Sequence, residues 1–290
     1  MSRRAVLLAL LVVQLIGAPA FAEDETSALA RLVERVAPSI VSVKARLRIS
    51  IGSGGEREEQ ESVAEARGAL VGPRGLIVLW NSHLSAVRWS EAFAAQGRSE
   101  SGFQVQVAPT GIRVTLPGSD RDLSAILVAS DADLDIAFLQ LDPPPAEPLP
   151  YVDFAAGTRG ELGQRVVAVS RLGGAFDGAS YFETARLAGK IGKPREAWIL
   201  DGVVSSFGLP LFDLTGRPVG VLVTVLSRVP DGSAGGMGEF TGFSPSLRQR
   251  QENARLGAFL LPADRVRGLV GEATKRAEAM LAERAAAPAP

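Results

Sequence analysis

The stretch Leu134-Asp135-Ile136-Ala137-Phe138-Leu139-Gln140-Leu141 places one acidic residue ahead of a run that is apolar except for a single glutamine. An acidic turn precedes the run, and a proline-rich segment over 142–150 follows it. A short apolar run bounded in this way predicts a β-strand over 136–141. Proline at the density of 142–150 fits neither a central strand nor a helix, so that segment is predicted to be a stiff connector.

Short strand-like runs extend outward from this stretch in both directions. They lie at 39–45, 68–71, 76–80, 104–107, 112–116 and 124–128 before it, and at 165–170, 182–187, 197–200, 219–226 and 258–261 after it. The segment 52–65, rich in glycine and glutamate, is predicted to be an exposed loop, and 97–102 a polar loop. Helical spacing of apolar residues predicts helices over 23–37 and 263–287.

Many short strands, few helices and a central connector predict an all-β fold of two packed barrels or a sandwich. The predicted organisation starts with a signal peptide over 1–22 and an N-terminal barrel with its preceding helix over 23–142. The connector spans 143–150, the second barrel 151–262, and a helix with its tail 263–290.

Composition excludes several classes of site. The net charge is −1, which argues against a nucleic-acid partner. The absence of cysteine excludes disulfides, thiolate metal sites and a cysteine nucleophile, and a single histidine excludes a multi-histidine zinc site. Neither a cofactor nor a metal is predicted, although a carboxylate site for a hard cation stays open.

The N-terminus has the pattern of a signal peptide. Arg3 and Arg4 precede an apolar region over 5–16, and Ala20-Phe21-Ala22 supplies the small residues of a cleavage site before Glu23. The apolar region is shorter than the ~20 residues that a membrane span needs. We therefore expect export to the periplasm or secretion, with no membrane span after cleavage and with either the Sec or the twin-arginine route open.

Five segments resemble HtrA-type (DegP-like) proteases, a branch of the trypsin/chymotrypsin clan. The segment 68–84 resembles the strands that lead into the family's Thr-Asn-Asn-His, and 114–141 resembles the run that ends in Thr-Asp-Ile-Ala-Leu-Leu-Lys. The segments 36–43, 208–221 and 257–262 resemble the opening strand, the strands after the nucleophile and the closing strand. The resemblance covers about residues 30–275, and no PDZ-like domain is expected after it.

This resemblance implies two six-stranded β-barrels with short terminal helices, and it places His83 and Asp135 on the catalytic histidine and aspartate. Where the family has Gly-x-Ser-Gly-Gly-Pro-Leu, this chain has Ser205-Ser206-Phe207-Gly208-Leu209-Pro210-Leu211. Phe207 therefore occupies the nucleophile position, and two loop glycines are replaced. A serine hydroxyl attacks only when an imidazole accepts its proton, and an aspartate orients that imidazole.

Two hypotheses follow. The first is a non-catalytic protease homologue that binds a polypeptide substrate or a protein partner in the cell envelope. The second is an active serine endopeptidase in which Ser206, or less favourably Ser205, acts with His83 and Asp135. Apart from the resemblance, His83 fits an ordinary surface histidine, and Asp135 fits a solvated acidic turn with Asp131 and Asp133. Because HtrA-type proteases are often trimers, the resemblance also leaves a homo-oligomer open.

Overall fold

The computed structural model describes residues 24–53, 56–85, 104–193, 195–224 and 258–286. The predicted signal peptide over 1–22 and the loop predicted over 97–102 lie outside these residues. Within the described ranges, no helix is both long enough and apolar enough to cross a membrane.

The described residues form two α-helices, four short 3-10 helices and twelve strands. Helix α1 spans Glu25–Val36, and helix α2 spans Ala263–Ala286. The strands are β1 (Ile40–Ser53), β2 (Glu56–Leu70), β3 (Leu76–Trp80), β4 (Gln104–Thr115), β5 (Asp122–Asp131), β6 (Ile136–Leu141), β7 (Arg165–Arg171), β8 (Ser180–Ile191), β9 (Ala197–Asp201), β10 (Pro210–Phe212), β11 (Pro218–Thr224) and β12 (Ala258–Pro262).

The strands form two closed antiparallel barrels of six strands each. Their orders are β1-β2-β3-β6-β5-β4 and β10-β11-β12-β9-β8-β7. Closure removes free sheet edges, which a sandwich would leave exposed. The predicted fold class, all-β with two six-stranded barrels and helices at its ends, is confirmed.

Residues 52–53 end strand β1 and residues 56–65 lie in strand β2, so the prediction of an exposed loop over 52–65 was wrong for these described residues. Strands β1 and β2 pair continuously from Ile40 opposite Ala69 to Ser53 opposite Glu56. Along β1, apolar side chains such as Leu47 and Ile49 are buried and alternate with exposed basic ones. This alternation fixes the register. Strand β2 places an acidic residue opposite two of the basic residues, Glu65 opposite Lys44 and Glu61 opposite Arg48.

Strand β6 explains why the run over 136–141 is almost continuously apolar. All six residues are buried because the two faces of the strand meet two different parts of the core. Ile136 and Phe138 pack in the cluster between the barrels, whereas Ala137, Leu139 and Leu141 fill the first barrel. Gln140 is buried as well, and its side-chain amide donates to the Arg74 carbonyl at 2.6 Å.

The segments that carry the predicted site residues meet at one end of the first barrel. The turn Asn81–His83 directly follows β3, and Asp135 directly precedes β6, which pairs with β3. The loop before β10 approaches the same place, where the Gly208 backbone lies against Leu79 and Trp80. Closure of the two barrels therefore brings together residues that are far apart in sequence.

Candidate functional site

Asp135 is held in place by its own backbone and by the turn before it. Its φ of 52° lies in the left-handed region, which is uncommon for a residue other than glycine. The Asp131 carboxylate accepts hydrogen bonds from the N–H groups of Asp133 and Leu134, and the Asp135 carbonyl accepts one from the Asn81 N–H at 2.9 Å. The acidic turn thus caps β6 and leaves Asp135 only 2% exposed.

The Asp135 carboxylate accepts hydrogen bonds from three side chains at one oxygen. Oδ2 lies 2.5 Å from the Trp80 indole nitrogen, 2.5 Å from Ser82 Oγ and 2.6 Å from Thr224 Oγ1. Within the described chain, the buried Oδ1 accepts no hydrogen bond. In a working triad the aspartate accepts a hydrogen bond from the histidine ring. Here the donors among the described residues are Trp80, Ser82 and Thr224. The carboxylate therefore connects the segment before His83 to strand β11.

The Trp80 ring lies against both His83 and Phe207. It meets His83 edge-to-face, with ring centroids 5.0 Å apart at 89°, and Phe207 at 4.9 Å and 33°. Such arrangements are favourable aromatic contacts. Phe207 also packs against the core of the second barrel. From the sequence, Trp80 was assigned no role. A signal was present, since Trp80 occupies the position at which the family motif has threonine.

Ser205 and Ser206 both direct their hydroxyl groups to Glu183, which lies on β8. Ser205 Oγ donates to Glu183 Oε1 at 2.6 Å, and Ser206 Oγ donates to Oε2 at 2.6 Å. The N–H groups of the same two serines lie 3.1–3.2 Å from this carboxylate. One carboxylate therefore accepts from four groups of adjacent residues. Ser206 is 7% exposed.

All five main-chain N–H groups from Ser205 to Leu209 are engaged within the protein. Those of Ser205 and Ser206 donate to Glu183. The remaining three donate to carbonyl oxygens: Phe207 to Ser205, Gly208 to Leu222 and Leu209 to Ser206, at 2.8–3.1 Å. An oxyanion hole needs donors aimed at the oxygen of the reacting group. This loop has none of these five groups free for that purpose.

Gly208 is the point where the loop touches the first barrel. Its φ is +77°, and a Cβ atom added there would lie 2.1 Å from the Trp80 nitrogen and 2.5 Å from the Leu79 carbonyl carbon. Both contacts are with backbone, which cannot move aside as a flexible side chain can. Only glycine meets both constraints, so the glycine after Phe207 is required by the packing of the loop.

Sequence reasoning missed Glu183 entirely. Glu183 precedes Ser205 by 22 residues, and the contact arises only because β8 pairs with β7 and β9 in the closed barrel. No local motif in the sequence indicates it. Elsewhere among the described residues, no group of three or more His, Cys, Asp or Glu side chains is arranged to hold a metal ion.

Comparison with known proteins identifies the fold family. A model of the trypsin-like peptidase domain matches residues 66–221, a range that is more than half of the chain and includes His83, Asp135 and Phe207. The MamO protease domain from Magnetospirillum magneticum, solved in its apo form, is similar in structure with a TM-score of 0.45 and 18% sequence identity. That match covers 80% of this chain and 95% of the MamO chain. No curated protein sequence matches the chain. With two closed six-stranded barrels and a family match over its centre, this chain belongs to the trypsin-like peptidase domain family.

Proposed function

We propose that this chain is an exported, HtrA-like member of the family that binds polypeptide and does not cleave it. The Phe207 side chain has no group that could attack a carbonyl. The nearest hydroxyl groups in the loop, those of Ser205 and Ser206, are both bonded to Glu183. The chain would thus bind the same class of ligand as the family, polypeptide, without hydrolysing it.

The carboxylate of Glu183 is the observation that carries this proposal. Acyl transfer develops negative charge on the substrate oxygen, and the enzyme must meet that charge with hydrogen-bond donors. Here the N–H groups of Ser205 and Ser206 already face a carboxylate. A second negative charge at this place would be repelled rather than stabilised. A serine that donates to Glu183 also has its proton directed away from an imidazole.

Export and a polypeptide partner are the other parts of the proposal. The residues before Glu23 have a signal-peptide pattern, and a chain without cysteine folds in an oxidising compartment without any disulfide chemistry. Polypeptide is the ligand class that trypsin-like domains recognise. The aromatic contact of Trp80 with Phe207 supports an apolar binding surface beside His83. Association of several copies of the chain is compatible with this role.

A second candidate function is hydrolysis by Ser206 with His83 and Asp135. One observation favours it, because the segments that carry His83 and Asp135 and the loop that carries Ser206 meet at one end of the first barrel. It requires a rebuilt loop, since the N–H groups around Ser206 are engaged and the Asp135 carboxylate bonds to Trp80, Ser82 and Thr224. We therefore rank it second.

Unfolded casein tests both candidates in one experiment. The chain from Glu23 onward is mixed with fluorescein-labelled casein, and anisotropy reports binding while electrophoresis reports fragments. We expect anisotropy to rise with protein concentration and casein to stay intact, with the same behaviour for Ser206→Ala. Casein fragments that disappear with Ser206→Ala would establish the second candidate. An unchanged anisotropy would reject the binding function.

A further inference from the structure

A cleft of about 460 Å³ lies at one junction of the two barrels, and none of the candidate-site residues lines it. Its walls include Lys44 and Arg67 from the first barrel and Arg171 from the second. The loop between β7 and β8, residues 172–179, borders it as well. Neither the hydrolytic nor the peptide-binding role involves this cleft.

Arg67 and Arg171 form a pair of positive charges whose hydrogen bonds all go to main-chain carbonyls. Arg67 Nε donates to the Arg171 carbonyl at 3.0 Å, and Nη1 donates to that of Ala66 at 3.1 Å. Arg171 donates to the carbonyls of Gly178 at 3.1 Å and Ala37 at 3.3 Å. These bonds fix both guanidinium groups without neutralising either charge.

Arg171 is partly buried and lies close to the positive charge of Arg67. Burial, and then the charge of Arg67, lower the pKa of Arg171 from its usual range. Its Nε is buried and donates to no acceptor in the described chain. Like charges that are partly removed from water are unfavourable unless an opposite charge is near. The Arg67–Arg171 pair would therefore be stabilised by a bound negative charge.

None of the described carboxylates around the cleft forms an ion pair with Arg67 or Arg171. Four exposed acidic residues line it: Glu65, Asp120, Asp122 and Asp177. Glu65 pairs with Lys44 at 3.9 Å, and Asp122 accepts from Thr115 at 2.6 Å. Among the described residues, no ion pair within 4.0 Å includes Arg67 or Arg171.

Two glycines leave space beside the guanidinium groups. A Cβ atom at Gly173 would lie 3.7 Å from Arg67 Nη2, and one at Gly178 would lie 3.6 Å from Arg171 Nη1. A longer side chain at either position would cover the nitrogen that it faces. Arg67 Nη2 makes no hydrogen bond within the described chain and faces this loop.

We propose that this cleft binds an oxyanion, a phosphate or carboxylate group, at the Arg67–Arg171 pair. The planar guanidinium group of Arg67 can donate to two oxygens of such a group. Its two hydrogen bonds to main-chain carbonyls hold it in position for this contact. The bound anion offsets the positive charge of the pair and accepts a hydrogen bond from Arg67 Nη2. Recognition of this kind extends beyond the proposed polypeptide-binding role and does not depend on it.

Thermal unfolding at constant ionic strength tests the site. The chain from Glu23 onward is titrated with inorganic phosphate, with N-acetyl-aspartate amide and with calcium chloride, and sodium chloride keeps the ionic strength constant in each titration. Ligands that bind only the folded state raise the midpoint in a saturable way. We expect a rise with phosphate or with the aspartate derivative, and the stronger of the two identifies the source of the oxyanion. No rise is expected with calcium.

Variants assign the effect to the arginine pair. We expect Arg67→Gln to weaken the anion affinity at least tenfold, and Arg67→Lys, which keeps the charge but loses the fork, to weaken it as well. Arg186→Gln is the matched control, because Arg186 also donates to a carbonyl but lies away from the cleft. If Arg67→Gln does not fold, the anion affinity of Arg67→Lys tests the contribution of Arg67 instead. Equal responses in Arg67→Lys and Arg186→Gln, no anion response, or stabilisation by calcium alone would overturn the proposal.

Discussion

Replacement of Gly208 by alanine is expected to destabilise the protein by about 4 kcal/mol, because two penalties combine at this position. The backbone has a φ of +77°, which alanine adopts with strain. The new Cβ would also lie 2.1 Å from the Trp80 nitrogen, so the loop or the end of β3 must move. The midpoint of urea unfolding measures the change in the free energy of unfolding.

Gly163→Ala separates the two penalties. Gly163 has a φ of +81° but no atom within 4 Å of an added Cβ, so it carries the backbone strain alone. We expect it to cost about 1 kcal/mol. Gly111→Ala, which has neither problem, serves as the baseline. If Gly208→Ala costs no more than Gly163→Ala, the loop is not packed against β3 as described.

Replacement of Asp135 by alanine is expected to cost about 3–5 kcal/mol of stability, because it leaves three buried or half-buried donors without their acceptor. Those donors are the Trp80 indole and the hydroxyl groups of Ser82 and Thr224. Asp135→Asn keeps an oxygen acceptor and tolerates the left-handed backbone, so we expect a loss of about 1–2 kcal/mol. Urea unfolding followed by tryptophan fluorescence measures both.

Asp177→Ala is the matched control for Asp135→Ala. Asp177 has nearly the same φ, 54° against 52°, but its side chain is exposed and makes no hydrogen bond in the described chain. We expect less than about 1 kcal/mol for this change. A loss at Asp135 that matched the loss at Asp177 would show that the carboxylate does not organise the site.

Much of the fold was predictable because strand patterns are local. The apolar run over 136–141 ends at the residues where β6 ends, and β3 also matches its predicted range. The segment 52–65 was missed because its glycine and glutamate content is typical of loops. Strand β2, which contains residues 56–65, depends on its partner β1, whose alternating charged and apolar residues fix the pairing. Composition of one segment does not reveal the strand beside it.

The candidate site was predictable only in part, for the same reason. The motifs indicated His83, Asp135 and Phe207 as residues at the family's catalytic positions. The structure places their segments at one end of the first barrel. Glu183 gave no signal, since its contact with Ser205 and Ser206 depends on closure of the second barrel. The catalytic roles of His83 and Asp135 stay predictions.

Labelling with a fluorophosphonate tests whether the chain contains an activated serine, because the reagent reacts with such a serine and needs no known substrate. The mature chain and three variants are compared: Ser206→Ala, His83→Ala and Glu183→Ala, the last of which frees the Ser206 hydroxyl. We expect no labelling of any of the four proteins, since removal of Glu183 frees the N–H groups of Ser205 and Ser206 but does not give the Ser206 hydroxyl an imidazole that accepts its proton. Labelling of the unmodified chain that disappears with His83→Ala and Ser206→Ala would contradict the account.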